Sequence, residues 1–416
     1  MSVPPEAVPQ ARGKQDLPDV GAAETPVRPP TARRLRIAVF NRTFSPTGGG
    51  AERYSIALVE ALAARHDVHV FAQDIDHRWP GVTYHRVAMP MRRPRWLNQL
   101  WYATATWWAT RRGFDVVHSH EATWHGGVQT VHVLPVKHNL FHGLTGARRF
   151  SRWIKVVTSP RLLAYLALEK ARFALKPGKR VVATSQTLRD VIEATYPACA
   201  PMLRVVSPGV TLPAAPADVP AARAALELPP AGRLIAFVAN DYQKKGLGTL
   251  LIALAALPPD VHLAVVGNPS YIDRFQQEAL SLKVADRVHF LGYRKDASPL
   301  YQAADVLAHP TLEDTFAMVV LEAMAHGLPV VVSDASHCGI ASLLDDEANA
   351  LILASPTDAD ELAGKLGRIF ADAGLRQHLG DGARAFAAQW SWTTIAARQE
   401  SIYIEAARST SAASQP

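Results

Sequence analysis

Cysteine is nearly absent: the 416 residues include only Cys199 and Cys338. Two scattered cysteines exclude a disulfide framework or a zinc module and predict a reducing compartment. No run of about 18 apolar residues occurs, so no spanning helix is expected. The glycine patterns of a dinucleotide fold or an ATP phosphate loop are missing. So is any recognised nucleic-acid motif. Residues 1–34 are rich in proline and have no apolar segment, which reads as a solvated tail and not a secretory signal. The expected location is the cytoplasm, either soluble or peripheral at the inner face of the plasma membrane.

The composition is that of a globular chain, 48% hydrophobic and 19% charged. A net charge of +7 and a pI near 9.4 favour anionic partners. Nucleic acid, phosphorylated small molecules and an anionic lipid surface all fit that charge. The length suits two α/β domains of roughly 100–200 residues each.

Order is expected to begin at Leu35. LRIAVFN (Leu35–Asn41) reads as a strand, SPTGGG (Ser45–Gly50) as a loop, and the next stretch as a helix with Tyr54, Leu58, Ala61 and Leu62 on one face. A further strand follows at DVHVFAQ, which opens a doubly wound sheet. Later strands are expected in DVVHSH (Asp115–His120), GVQTVHVLP (Gly127–Pro135), RVVATS (Arg180–Ser185) and RVVSPG (Arg204–Gly209). After a Pro- and Ala-rich stretch a second series runs from RLIAFVAN (Arg233–Asn240) to ALILAS (Ala350–Ser355). Its near-continuous β-branched runs suit parallel strands buried on both faces. The fold class is therefore α/β, with two Rossmann-like, doubly wound parallel-sheet domains facing across a cleft. The expected boundaries are a first Rossmann-like domain at 35–209, a second at 210–388 and a closing segment at 389–416, with a hinge near Pro208–Thr211. Ligands of such sheets sit beyond the carboxyl ends of the strands.

The chemistry-bearing motifs lie at those ends. In HPTLEDTFAMVVLEAMAHGLPVVVSD (His309–Asp334) a helix is expected from Thr315–Phe316 to Gly327. Its free first-turn amides would make an anion site for a diphosphate. Asp314 lies at the mouth and Glu322 about two turns in, where carboxylates can accept from sugar and ribose hydroxyls. A solvated loop acid and a helix-face glutamate would be the plainer explanation. In VANDYQKKGLG, Lys244 and Lys245 precede Gly246 at a helix start, which suits a leaving diphosphate. Two surface lysines would look the same. Gly48, Gly49 and Gly50 allow close backbone approach to a ligand. His118, His120, Glu121 and His125 follow no standard zinc spacing, so no metal is expected.

These segments resemble family 4 glycosyltransferases. Asp314 through Glu322 has the family spacing of an acid, seven residues and a glutamate, and LEAMAHGLPVVVSD matches its downstream part. DTFA (Asp314–Ala317) stands where EGFG is usual, and Asn240 where arginine is usual. The resemblance implies that Glu322 holds the donor ribose and that Asp314 contacts the donor sugar, with Thr315, Phe316 and Ala317 beside them. It places Lys245, then Lys244, on the diphosphate. Gly49, Gly50 and Glu52 match a Gly-Gly-x-Glu segment beside the transferred sugar and acceptor, and His120 matches a histidine near the sugar. Catalytic roles would fall to His120, Lys245 and Asp314. DID (Asp74–Asp76) and DAD (Asp358–Asp360) spell the metal triplet of a different glycosyltransferase fold; DAD is better explained as a helix cap. YQAADVLAHP, VVLEA and HCGI are similar to lipopolysaccharide-core glucosyltransferases of the family. The expected activity is retaining transfer of a hexose, from UDP-glucose or a similar donor, to a cell-envelope glycolipid or polysaccharide. The nucleotide-sugar is then a substrate, and no cofactor is expected.

RRPRWLNQLWYATATWWATRR (Arg92–Arg112) puts Trp96, Leu100, Trp101, Trp107 and Trp108 near helical spacing between arginines, and KHNLFHGLTGARRFSRWIK (Lys137–Lys155) repeats the mixture. Such segments suit an anionic membrane surface or a phosphorylated glycolipid, although an ordinary packed helix would read similarly. Other functions remain open from sequence alone: a nucleotide-sugar epimerase, a soluble glucan- or sucrose-type transferase, a non-catalytic nucleotide-sugar binding protein, and, on charge alone, a nucleic-acid binder.

Overall fold

The computed structural model describes residues 33–47, 49–215 and 217–413, with side chains through residue 409. The expected tail at 1–32 and Gly48 lie outside the described residues. In chain order the first half contains β1 (Arg36–Phe40), β2 (Thr43–Phe44), β3 (Asp67–Ala72), β4 (Asp74–Ile75), β5 (Val82–Arg86), β6 (Val116–Ser119), β7 (Val128–Val131), β8 (Arg180–Ala183) and β9 (Leu203–Val205). Seven of these form one sheet in the order β5-β3-β1-β6-β7-β8-β9, while β2 and β4 pair separately. The second half contains β10 (Arg233–Ala239), β11 (Val261–Gly267), β12 (Val288–Gly292), β13 (Val306–His309), β14 (Val330–Ser333) and β15 (Leu351–Leu353). They form a sheet in the order β12-β11-β10-β13-β14-β15. The pairings across both sheets are parallel.

Central strands such as β1 and β10 are apolar on both faces because helices cover both. In β1, Ile37 and Val39 face one way and Ala38 and Phe40 the other, and all four are buried. The helix Gly50–Ala63 buries Tyr54, Leu58 and Leu62 at intervals of four. Leu58 and Leu62 each contribute about 1.5–3 kcal/mol by leaving water. Both cysteines are buried and unbridged.

Each sheet reverses its direction of build once. In the first, β1 has β3 on one side and β6 on the other; in the second, β10 stands between β11 and β13. The crossover helices leave a crevice beyond the strand ends at such a switch point. All the expected site motifs follow one of the four strands β1, β6, β10 and β13 or the helices next to them.

Two chain passages between the halves run side by side. Val210 N–H donates to Trp390 O at 2.8 Å, and Val210 bridges Ser391 in parallel. A Cβ on Gly209 would lie 2.9 Å from the Trp392 ring, so glycine is needed there by contact. The helix Trp392–Ala413 then packs on the first half, against Gly50–Ala63, β6 and β7. Tyr403 Oη lies 2.7 Å from His118 Nδ1, and Glu400 pairs with Arg65 at 2.9 Å.

Some expected elements are shorter. The strand expected over Gly127–Pro135 ends at Val131, where its pairing with β8 stops at Ala183. Pro135, which has no amide to donate, becomes the cap of the helix Val136–Phe141. Asp358 does cap a helix: its carboxylate accepts from Asp360 N–H and Glu361 N–H.

Candidate active site at two switch points

The loops after β10 and β13 are pressed together. Gly246 has φ +81°, and a Cβ there would lie 1.9 Å from the Pro310 carbonyl oxygen. Leu312 N–H donates to Lys244 O at 2.8 Å. This contact delivers Lys245 to the second loop, where its Nζ lies 2.7 Å from both Asp314 Oδ2 and the Glu313 carbonyl oxygen. Two of its three donors are thereby used and one is left. Lys244 is 57% exposed, with Nζ 3.4 Å from Glu313 Oε1.

The carboxylate of Asp314 is saturated. Oδ1 accepts from Phe316 N–H at 3.2 Å and Ala317 N–H at 2.8 Å. Oδ2 takes Lys245 Nζ and lies 3.3 Å from His309 Nε2. A carboxylate has about four lone-pair positions, and here all are faced by a donor once His309 carries its proton on Nε2. Burial pushes this carboxyl group up, but His309 and Lys245 outweigh it and hold it well below the usual carboxylate range.

This changes the expected geometry of the motif. The helix begins at Met318, not at Thr315–Phe316, because Ala317 is left-handed (φ 72°, ψ 69°) and cannot be helical. The amides of Phe316 and Ala317, expected to form an open anion site, are occupied by Asp314. The side chain expected on the donor sugar ties the turn together and anchors Lys245. A left-handed alanine costs about 1–2 kcal/mol, which the Asp314 bonds and the burial of Phe316 and Ala317 offset.

Glu322, on the helix Met318–Ala325, is less committed. Oε1 takes Arg53 Nη1 at 2.9 Å, and Oε2 accepts from Tyr301 Oη–H at 3.0 Å. One lone-pair position is left on each oxygen. Arg53, Tyr301, Glu322, Lys295, Ser298 and Trp392 line a cavity of about 220 Å³ between the halves.

From the first half, Gly49 caps the helix Gly50–Ala63 with φ −79°, a conformation open to any residue. A Cβ on Gly49 would lie 3.2 Å from the movable carboxylate of Glu52, and one on Gly50 would make an ordinary 3.5 Å contact with Met318 Sδ across the gap. His120 follows β6. Its Nδ1 lies 2.9 Å from His132 Nε2 and its ring lies beside Tyr54 and His118. Burial, then the neighbouring His118, His132 and Arg172, lowers its pKa well below the ordinary value, so the imidazole is neutral near pH 7. Thr315 Oγ1–H donates to the His132 carbonyl oxygen at 2.8 Å, a direct bond between the halves. Thr187 makes another, to Ala335 O at 3.1 Å.

The structure thus brings His120, Gly49, Gly50, Lys245, Asp314, Thr315, Phe316, Ala317 and Glu322 to the two switch points and the helices beside them, with Lys244 and Glu52 at their rims. Asn240 is exposed. Among the described residues no group of three or more His, Cys, Asp or Glu is placed to hold a metal ion; Glu121 is committed to Arg42 at 2.9 Å. Arg53, Tyr301, His132 and His309 were not anticipated. On an amphipathic helix read from Tyr54, Leu58 and Leu62, Arg53 carries no signal of its own; the approach of the halves gives it Glu322.

Two doubly wound halves with facing switch points define a GT-B fold. Residues 218–386 match the family model "Glycosyl transferases group 1", and residues 48–212 match "Glycosyltransferase Family 4". The D-inositol 3-phosphate glycosyltransferase of Corynebacterium aurimucosum is 31% identical over 313 residues, 70% of this chain and 72% of that protein. That of Xylanimonas cellulosilytica is 33% identical over 241 residues, 55% of this chain and 57% of the relative. The chain spans about half the length of most of the curated relatives it matches. Among solved structures, WaaG, a glycosyltransferase involved in lipopolysaccharide biosynthesis, superposes with a TM-score of 0.75 at 22% identity, covering 88% of this chain and 99% of that one. The chain belongs to the group 1 and family 4 glycosyltransferases.

Proposed function

We propose that the protein transfers a hexose, with retention, from a nucleoside diphosphate sugar such as UDP-glucose to a cell-envelope glycolipid or polysaccharide, of which lipopolysaccharide core is one candidate. The observation that carries this reading is the meeting of Lys245 with Asp314, 69 residues apart, at the switch point of the second sheet. The remaining donor of Lys245, with Lys244 beside it, faces the place where a diphosphate would leave. Glu322 holds the ribose diol. The acceptor hydroxyl attacks the anomeric carbon on the face the diphosphate leaves. Its C–O bond forms as the bond to the phosphate oxygen breaks, and the proton passes to that oxygen. No side chain here is placed as a nucleophile for a two-carboxylate scheme. The protein supplies positioning and charge. His120, neutral and half-buried, offers a hydrogen bond beside the sugar without adding charge.

Asp314 acts in this scheme by holding Lys245 and the turn 314–317. The donor is identified by thermal shift with UDP-glucose, UDP-N-acetylglucosamine and GDP-mannose. One of them at about 100 times its Kd should stabilise the fold by about 2.7 kcal/mol, which reads as several degrees in Tm. The same shift with none of the three would contradict the reading.

The acceptor side is a surface of exposed aromatic and cationic residues. The helix Arg95–Thr110 buries a polar stripe of Asn98, Gln99, Thr106 and Thr110 around Tyr102 and Ala103, while Trp108 is 57% exposed. The helix Gly146–Val157 buries only Val156 and exposes Phe150 and Trp153 beside Arg148, Arg149, Arg152 and Lys155. Both pack on the helix Pro160–Phe173. This inversion of the usual burial pattern supports docking on an anionic lipid surface where the acceptor resides. Among the described residues no helix is long and apolar enough to cross a membrane. The protein should co-sediment with vesicles containing phosphatidylglycerol at low salt and release as salt shortens the Debye length to about 3 Å near 1 M. Equal binding to neutral vesicles, or none to either, would contradict the surface role.

A further inference from the structure

The two carboxylates of the signature are held differently, and the difference involves a residue from the opposite half. Asp314 has all its acceptor positions filled by its own half. Glu322 has two filled, one on each oxygen, and the two donors come from different halves. Tyr301 belongs to the helix Ser298–Ala303 of the second half, and Arg53 to the helix Gly50–Ala63 of the first. Held at one oxygen by the Arg53 ion pair and at the other by the Tyr301 hydrogen bond, the Glu322 carboxylate is restrained in rotation. Its two open positions then make a fixed pair suited to two neighbouring hydroxyls. Arg53 reaches this place because its helix starts against the second half, where a Cβ on Gly50 would stand 3.5 Å from Met318 Sδ. The flanking bonds Thr315–His132 and Thr187–Ala335 join the same two halves.

We infer that Arg53 is a positioning residue that completes the ribose-binding carboxylate from across the gap, so that full donor affinity exists only when the halves are closed. The inference rests on the reading of the cleft as a nucleoside diphosphate sugar site. With the halves apart, Glu322 keeps the Tyr301 bond alone and its carboxylate turns freely. With them together, the diol meets a fixed partner. Donor occupancy and closure are thereby linked, and each favours the other.

A double-mutant cycle on UDP affinity by calorimetry, with GDP in its place if thermal shift selects a guanosine donor, tests this. Arg53→Gln should weaken UDP about tenfold, in line with one lost charge-assisted hydrogen bond. It should raise the donor KM by a similar factor while kcat stays within about twofold. Arg53→Lys should recover part of the loss. In the Glu322→Gln background, Arg53→Gln should cost almost nothing, because the group it holds is already gone. An equal loss in both backgrounds would mean that Arg53 acts through general packing, and would overturn the inference. So would unchanged or tighter UDP binding in Arg53→Gln, the latter marking Arg53 as a plug of the site. Wild-type UDP affinity in Glu322→Gln alone would instead overturn the reading of the cleft.

Discussion

Replacing Lys245 with alanine is expected to lower turnover by about 10²-fold or more, the usual loss when one preorganised charge contact to a developing anion is removed. Its Nζ is the cation that the fold brings to the β10–β13 crevice in the tightest geometry, 2.7 Å from both Asp314 Oδ2 and the Glu313 carbonyl oxygen. The substitution also leaves Asp314 short of a partner in a largely enclosed place, which costs about 2 kcal/mol of stability. The two effects separate in the double variant Lys245→Met with Asp314→Asn, which removes both charges. Its melting temperature should recover towards wild type while turnover stays low. Single-turnover rates per folded molecule are the measurement. Near-wild-type rates in Lys245→Ala would contradict the role given to Lys245.

Gly246→Ala should be among the most damaging single methyl additions in the second half, and the one that acts directly on the candidate site. The residue is left-handed, and its Cβ would stand 1.9 Å from the Pro310 carbonyl oxygen, where no flexible side chain can give way. The backbone must move, and the β10 and β13 loops separate. A loss of about 3 kcal/mol or more is expected from urea unfolding, combining conformational strain with the clash. Donor affinity should fall with it, because Lys245 is carried on the displaced loop. Gly364→Ala is the control. That glycine lies within the helix Ala359–Ala371, with nothing within 4 Å of its Cβ position. It should stabilise by about 0.5–1 kcal/mol. Equal behaviour of the two variants would mean that the loop contact is not what holds the crevice.

Much of the fold is legible in local sequence because parallel strands buried on both faces read as apolar runs, as RIAVF and RLIAFVA do. The helix Gly50–Ala63 is equally plain from Tyr54, Leu58 and Leu62. The loop positions of Lys245, Asp314 and His120 follow from where those strands end. Pairing across the sheets is not local. Nothing in the sequence alone says that β10 lies beside β13, which is what turns two separate loops into one crevice. Nor does spacing reveal that Asp314 bends back onto Phe316 and Ala317. That geometry depends on a left-handed alanine, a conformation that residue type argues against. Arg53 was hidden for another reason: its partner is 269 positions away in the chain by number, and only packing of the halves brings it within 2.9 Å of Glu322.

The most direct measurement is a crystal structure with the nucleoside diphosphate selected by thermal shift. The expected result has phosphate oxygens within about 3 Å of Lys245 Nζ and the ribose hydroxyls on Glu322, with Arg53 still bonded to that carboxylate. A nucleotide bound elsewhere, or a cleft left empty at saturating nucleotide, would contradict the assignment of the site.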